Sequence, residues 1–168
     1  MCLRWQRDHL RQNPVCLPCA GQHRPFWRTP RHHRGAQVYM IKLNDLMAAR
    51  YQAGARGPEA YDCFGLFAEL CRRRGTPIPN HPTPDDLAQR EADIHAAAAA
   101  EWQPLATPEV GCAVVLRIGP WMSHIGMVLE GGRFVHTSSR RGVTVQRLDA
   151  PEWAERIAGF YRYTGRRT

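Results

Sequence analysis

An α+β fold is predicted by a change of period along the chain. Between Tyr61 and Glu101 apolar residues recur at helical spacing, and from Gly111 onward they alternate at a spacing of two. Glycine turns such as Glu130-Gly131-Gly132 separate the alternating runs, as in antiparallel hairpins. Helices first and an antiparallel sheet after them is the order of an α+β domain.

The length of 168 residues gives room for one domain with its own core. The net charge of +8 is uneven: residues 1–39 hold seven arginines and one aspartate, six of the eight net charges. A nucleic-acid role would rest on that leader alone, so no nucleic-acid partner is expected. The leader also carries three of the six cysteines and four of the eight histidines, with little periodicity. Cys16-Leu-Pro-Cys19, with His23, His32 and His33 near it, supplies half of a zinc site. Without a second well-spaced pair it does not define one, and neither metal nor cofactor is assigned. We expect a basic, poorly ordered leader over 1–39 and a folded domain over 40–168, with Met40 as an alternative start. No apolar run is long enough to span a membrane, and the first residues lack the apolar stretch of a signal peptide. The cysteines are then expected to be reduced.

Taken in order, residues 44–50 read as a short helix capped by Asn44, and Tyr51 to Pro58 as a loop. Tyr61 to Gly75 reads as one helix. Asp62 is its N-cap, Leu66, Phe67 and Leu70 its buried stripe, and Gly75 and Pro77 its stop. Residues 76–84 hold four prolines and form a connection, with His81 as a solvated loop residue. Asp85 to Glu101 is an alanine-rich second helix capped from Thr83 or Asp85, with His95 on its surface. Strands follow at Cys112–Ile118, His124–Leu129, Arg133–Thr137, Val143–Arg147 and Ile157–Tyr163, with a short turn at Pro151–Trp153.

Cys63 falls in the first turn of the helix that Asp62 caps. There the partial positive charge and free N–H groups favour a thiolate and lower the thiol pKa. Cys71, two turns on, lacks that help, and a buried structural cysteine is the alternative reading of either. On strand His124–Leu129, His124, Gly126 and Val128 face one way and Ile125, Met127 and Leu129 the other. Gly126 leaves room for a substrate backbone. An odd-length turn near residues 130–131 puts His124 and His136 on one side of the sheet; a two-residue turn puts them on opposite sides. With the Cys63 helix packed on that side, thiol, base and orienter assemble. His124 takes the thiol proton and His136 fixes its tautomer. Each histidine alone also fits a satisfied sheet residue, so it is the joint pattern that points to chemistry.

Tyr61-Asp-Cys-Phe-Gly-Leu66, Ser123-His-Ile-Gly-Met-Val-Leu129 and Gly132-Arg-Phe-Val-His136 resemble, in that order, three motifs of the NlpC-type papain-like cysteine peptidases. The resemblance covers residues 44–164. It implies a helical half packed on a five- or six-stranded antiparallel sheet. It implies a Cys63–His124–His136 triad that cleaves amide bonds of peptidoglycan peptides, typically after γ-linked D-glutamate. Tyr51, twelve residues before Cys63, matches the tyrosine that helps form the oxyanion site, and Asp62 and Ser123 match positions that hold the substrate's amino end. Phe64 departs from the pattern, since the family usually has Ser there to meet the substrate. Gly111-Cys112 stands where Gly-Asp is usual, a structural difference. The stretch from Cys63 to Pro79 and the ending Ile157-Ala-Gly-Phe-Tyr-Arg-Tyr163 are most similar to phage tail-assembly members. That likeness implies other tail proteins as partners and a place in the virion tail, or in the bacterial cytoplasm before assembly. Three other classes stay open: a tail structural component of this fold with weak or no catalysis, an amidase or acyltransferase, and a metal- or nucleic-acid-binding protein centred on the leader.

Overall fold

The computed structural model describes residues 42–165. The expectations placed on the leader, including its Cys16–Cys19 pair and the boundary at residue 40, lie outside the described residues. The elements in chain order are β1 (Arg50–Tyr51), β2 (Ala60–Tyr61), α1 (Cys63–Arg73), α2 (Leu87–Glu101), β3 (Trp102–Leu105), β4 (Ala113–Ile118), β5 (Trp121–Leu129), β6 (Arg133–Ser138), β7 (Gly142–Arg147), α3 (Pro151–Ala154) and β8 (Ile157–Tyr163). Six strands form one sheet in the order β3-β8-β4-β5-β6-β7, and every neighbouring pair is antiparallel. β1 and β2 form a separate two-residue parallel pair. The fold is α+β, with both long helices set against the large sheet.

The helix α1 forms where its sequence asks for it. Asp62 takes an extended conformation and accepts a 2.6 Å bond from the Gly65 N–H, one of the orphan donors of the first turn. Leu66, Phe67, Leu70 and Cys71 are all buried. They pack with Met127 and Val135 of the sheet in the larger of two apolar clusters. Gly75, at a φ of +75°, ends the helix, with the Gly75 N–H on Arg72 O and the Thr76 N–H on Cys71 O. The opposite face of the sheet is a second cluster around Val114, Val128 and Phe134, closed by Leu148 and Trp153. Burial on both faces explains why the strands are more apolar than simple alternation would make them.

Four local expectations are corrected. Residues 44–50 are not a helix: 44–48 form turns, and the chain straightens so that the Arg50 N–H can bond Glu59 O. α2 is capped by Asp86, which accepts from the Gln89 N–H at 2.7 Å, because Thr83 is engaged elsewhere, with its hydroxyl on Asp62. β3 follows directly on α2 and was hidden by Pro104, which a strand tolerates at a sheet edge. Gly126 leaves no room for a substrate, since a Cβ there would lie 2.8 Å from Val135 O and 3.0 Å from the Phe134 ring. Its missing side chain lets β6 approach β5.

Gly126→Ala should therefore lower stability by about 1–3 kcal/mol, the usual cost of overpacking a filled site. Urea unfolding monitored by circular dichroism measures it, and a neutral substitution would show that the two strands have slack.

Candidate active site

The sheet sets up a histidine pair by register. Met127 pairs with Val135 and Leu129 with Arg133, across the three-residue turn 130–132. The turn is odd in length, so His124 and His136 fall on one side of the sheet, and His124 Nε2 lies 2.8 Å from His136 Nδ1. That side carries Phe134 and Trp153, whereas α1 packs on the Met127 and Val135 face, so the expectation that the Cys63 helix packs on the histidine side is corrected. Next to His124 the pairing of β4 and β5 shifts, because Leu116 faces His124 while Arg117 faces Met122. Ser123 is the extra residue. Such a bulge bends and twists its strand and re-aims the adjacent side chains.

His136 is 2 % exposed. Its ring stacks on Phe134 at 5.1 Å between centroids and meets the Trp153 ring edge-on at 4.7 Å. Its Nε2 lies 3.3 Å from Thr144 Oγ1, and Thr144 is its partner across β6 and β7. Two assignments of protons satisfy both bonds, and the one that leaves a free base is as follows. His124 Nε2–H donates to His136 Nδ1, and His136 Nε2–H donates to Thr144 Oγ1. That leaves His124 Nδ1 as a free acceptor. Burial depresses both imidazoles, His124 to about 3 with His136 and Arg90 adding to the effect, and His136 to about 4. Both are neutral at pH 7.

Cys63 is the first residue of α1 and is 4 % exposed. It lines one cavity of about 380 Å³ together with His124, Ser123, Phe64, Arg90 and His81. Burial pushes its thiol above the ordinary value, and the Asp62 carboxylate adds to this. The N–H groups of Ile125 and Phe64 and the Arg90 guanidinium pull the other way without overcoming it. The sequence expectation of a lowered pKa is thus reversed, because desolvation at this helix end outweighs the dipole. Cys71 and Cys112 are raised as well, to about 12 and about 11, chiefly by burial.

Asp62 precedes the thiol but does not open onto the cavity. It is 1 % exposed and accepts from Gly65 N–H, Gly54 N–H, Arg56 Nη1 at 2.6 Å and Thr83 Oγ1 at 2.7 Å. Oδ2 takes three of these donors and Oδ1 one, so the carboxylate anchors the chain around the start of α1. Arg56 also bonds Asn80 Oδ1, His81 O and Thr83 Oγ1, and sits 5.5 Å above the Phe64 ring. It ties the proline-rich connection down over the start of α1. His81 is a half-buried loop residue, less solvated than expected: its ring meets Phe64 edge-on at 5.5 Å and lines the cavity. Tyr51 of β1 is in register with Tyr61, two residues before Cys63. Burial raises its phenol pKa, and the nearby Cys63 adds to the rise.

A sequence model of the NlpC/P60 family matches residues 48–162, most of the chain and all of the residues just described. The chain belongs to the NlpC/P60 family. A curated relative, the probable endopeptidase p60 of Listeria grayi, is 24 % identical over 112 residues, which cover 67 % of this chain and 20 % of that protein. A lipoprotein-like NLP/P60-family structure from Staphylococcus aureus aligns at a TM-score of 0.50 and 21 % identity, over 71 % of this chain and 38 % of the other. The NlpC2 structure from Trichomonas vaginalis aligns at a TM-score of 0.51 and 20 % identity, over 70 % and 43 %. The chain thus spans well under half the length of each of these relatives, and at these identities the structures establish the fold. NlpC/P60 membership agrees with the papain-like architecture expected from the three motifs.

Sequence reasoning missed Thr144, Arg56, Arg90 and Glu101. Thr144 was findable, because pairing 133–138 with 142–147 places it opposite His136. Arg56 carried no signal, since its partners lie six to 27 residues away in irregular chain. Among the described residues no group of three or more His, Cys, Asp or Glu could hold a metal ion, and no helix is long and apolar enough to cross a membrane.

The buried neutral histidines predict an acid-sensitive fold. Their native pKa values lie below the unfolded value of about 6.5, so the unfolded chain binds more protons as pH falls below it. Stability from this source is whole above pH 6.5 and is lost between there and about pH 4, by up to about 1.4 kcal/mol per pH unit for each histidine. Replacing His136 by Gln should make the dependence of unfolding free energy on pH between 6.5 and 4.5 shallower. An unchanged slope would mean that His136 titrates normally in the folded protein.

Proposed function

We propose that this NlpC/P60 chain is a cysteine peptidase that cleaves amide bonds of peptidoglycan stem peptides. The observation that carries the reading is the 2.8 Å His124–His136 bond beside a cavity that Cys63 also lines. In this reading Cys63 is the nucleophile, His124 the base and His136 the orienter. The bond to His136 consumes His124 Nε2 and leaves Nδ1 to take the thiol proton. The thiolate forms a bond to the substrate carbonyl carbon, and the imidazolium returns its proton to the departing amine as the C–N bond breaks. Water then attacks the thioester, loses a proton to His124, and releases the acid and the thiol. The backbone N–H groups at the start of α1 and the Tyr51 hydroxyl stabilise the oxyanion. Ser123 and Phe64 flank the reacting bond on the cavity wall.

A neutral thiol and a neutral imidazole are the correct resting pair for this sequence. Each ionised form is costly alone at these buried positions, and proton transfer creates both charges together, where they attract. The proposed setting is a phage or prophage tail, on the strength of the Cys63–Pro79 and Ile157–Tyr163 likeness, with other tail proteins as partners. Protein mass spectrometry of purified particles tests that setting, and absence from particles would end it. The burial and raised pKa of Cys63 also favour a second reading, a tail structural component whose thiol turns over weakly or not at all.

Digestion of purified muropeptides, read by product mass, separates the two. Cleavage should be lost by about 10⁴-fold or more in Cys63→Ala and in His124→Ala, with the double variant no worse than either, because the pair acts as a unit. His136→Ala should keep measurable activity, and Thr144→Val more, since both act through His124. No cleavage by the unaltered protein would favour the structural component, and additive losses from Cys63 and His124 would break the assignment of roles.

A further inference from the structure

The cavity that holds the thiol also holds a cation that no carboxylate pairs with. Arg90, in the first turn of α2, lines the cavity with Cys63 and His124. Its Nε and Nη2 both donate to Pro84 O, at 3.0 and 2.6 Å. This two-pronged hold on one carbonyl fixes the plane of the guanidinium. Nη1 has no partner among the described residues, and it is not one of the polar atoms that the fold seals from solvent. The acids nearest in the chain are engaged elsewhere. Asp86 accepts from the Gln89 N–H at 2.7 Å, Asp93 from Gln89 Nε2 at 2.8 Å and Glu91 from the Met122 N–H at 3.1 Å. Of the other acids near the cavity, Asp62 is paired with Arg56, and Glu101 Oε2 stands 3.4 Å from His81 Nε2. Among the described residues no carboxylate forms an ion pair with Arg90.

The charge of Arg90 reaches the reacting groups. Burial is the largest influence on the Cys63 thiol, the Tyr51 phenol and the His124 imidazole, and Arg90 opposes it at the first two and adds to it at the third. Coulomb interactions fall with distance, so the guanidinium stands near all three. A substrate seated against Cys63 therefore brings its own groups up to an exposed N–H donor that carries positive charge. We propose that Arg90 is the subsite for a carboxylate that the substrate carries beside its scissile bond. The Nη1 N–H groups donate to the carboxylate, and the bond is charge-assisted in a half-buried setting, where it is stronger than on the surface. The apolar wall beside Arg90, with Ile94, Ala97 and Val115, takes the carbon chain that links carboxylate and scissile carbonyl.

Arg90 lies on α2, outside the three motifs that carry the catalytic residues. The inference rests on the peptidase reading above and refines its substrate to peptides with a free carboxylate, in preference to a carboxamide, next to the bond that is cut. Two parts of a stem peptide supply one. A γ-linked D-glutamyl residue is joined through its side chain and keeps its α-carboxylate free. The residue beyond the scissile bond supplies the other where the peptide ends there.

Binding to the full chain carrying Cys63→Ala, which blocks turnover, tests it by calorimetry. The probes are the tripeptide L-Ala-γ-D-Glu-L-Lys, the same peptide with the D-Glu α-carboxyl as a carboxamide, and the same peptide with its C-terminal carboxyl as a carboxamide. One of the two amidations should weaken binding by about ten- to a hundredfold, the worth of one charge-assisted bond, and which one does so identifies the carboxylate. That comparison leaves Arg90 unaltered, so it does not depend on how a variant at this position folds. Adding Arg90→Gln should bring the three peptides to within about twofold of one another. The readout is a ratio between peptides, so a general loosening of the fold by the substitution does not move it. An arginine that only ties down Pro84 predicts a ratio that the substitution leaves unchanged. Equal binding of all three peptides to the Cys63→Ala protein, or a preference that survives Arg90→Gln, overturns the subsite and leaves the peptidase reading standing. Failure of all three to bind overturns both.

Discussion

The Asp62 carboxylate, 1 % exposed and holding four internal donors, is the constraint on which the cavity depends. It caps α1, fastens the turn at Gly54, and through Arg56 and Thr83 draws the proline-rich connection across the helix start. An unpaired carboxylate at that depth would cost several kcal/mol, so the donors and the acid require one another. The consequence for chemistry is positional. Cys63 follows Asp62 directly, and a residue next to a cap so held has little freedom to move. The same network turns Phe64 and His81 toward the cavity, and so shapes the wall that a substrate would meet.

The sheet positions the other half of the site by counting. A three-residue turn sets the side on which His136 falls, the extra Ser123 bends β5 beside His124, and Gly126 lets β6 come close enough for a 2.8 Å bond. Phe134 and Trp153 hold the His136 ring between aromatic faces, and Thr144 ties its far nitrogen. These contacts fix the position of the His136 ring and, through the shared bond, that of His124. A histidine with one nitrogen committed presents the other in one direction only.

Local and periodic information was legible in the sequence. The capping Asp62, the Leu66–Phe67–Leu70 stripe, the Gly75 stop and the five strands from Cys112 onward each depend on residues within a few positions of one another. The histidine pair was legible as a conditional, since parity across a hairpin follows from turn length, and Gly131-Gly132 left that length open. What was not legible depends on contacts between distant, irregular segments. Thr83 was read as a helix cap because nothing in its neighbourhood reveals that Asp62, 21 residues earlier, takes its hydroxyl. His81 was read as solvated because Arg56, which fastens its loop, lies 25 residues before it. Pro104 concealed β3 because only the assembled sheet shows that this strand is an edge.

The thiol shows most clearly why a motif and an environment carry different information. A cysteine at a helix N-terminus has the dipole and free N–H groups in its favour, and from sequence these are the only influences visible. Folding adds burial, which opposes the thiolate, and a carboxylate one residue away, which opposes it again. The N–H groups of Ile125 and Phe64 remain aimed at the sulfur, so the donors for a negative charge are in place while the charge itself is withheld. Burial also depresses both histidines, which keeps His124 a free base throughout the neutral range. Thiol and imidazole are both uncharged at rest, and in the proposed reaction proton transfer would form sulfur anion and imidazolium as a pair. On that reasoning the depth of Cys63 is compatible with catalysis, because reactivity depends on the energy of the pair in place of the thiolate alone.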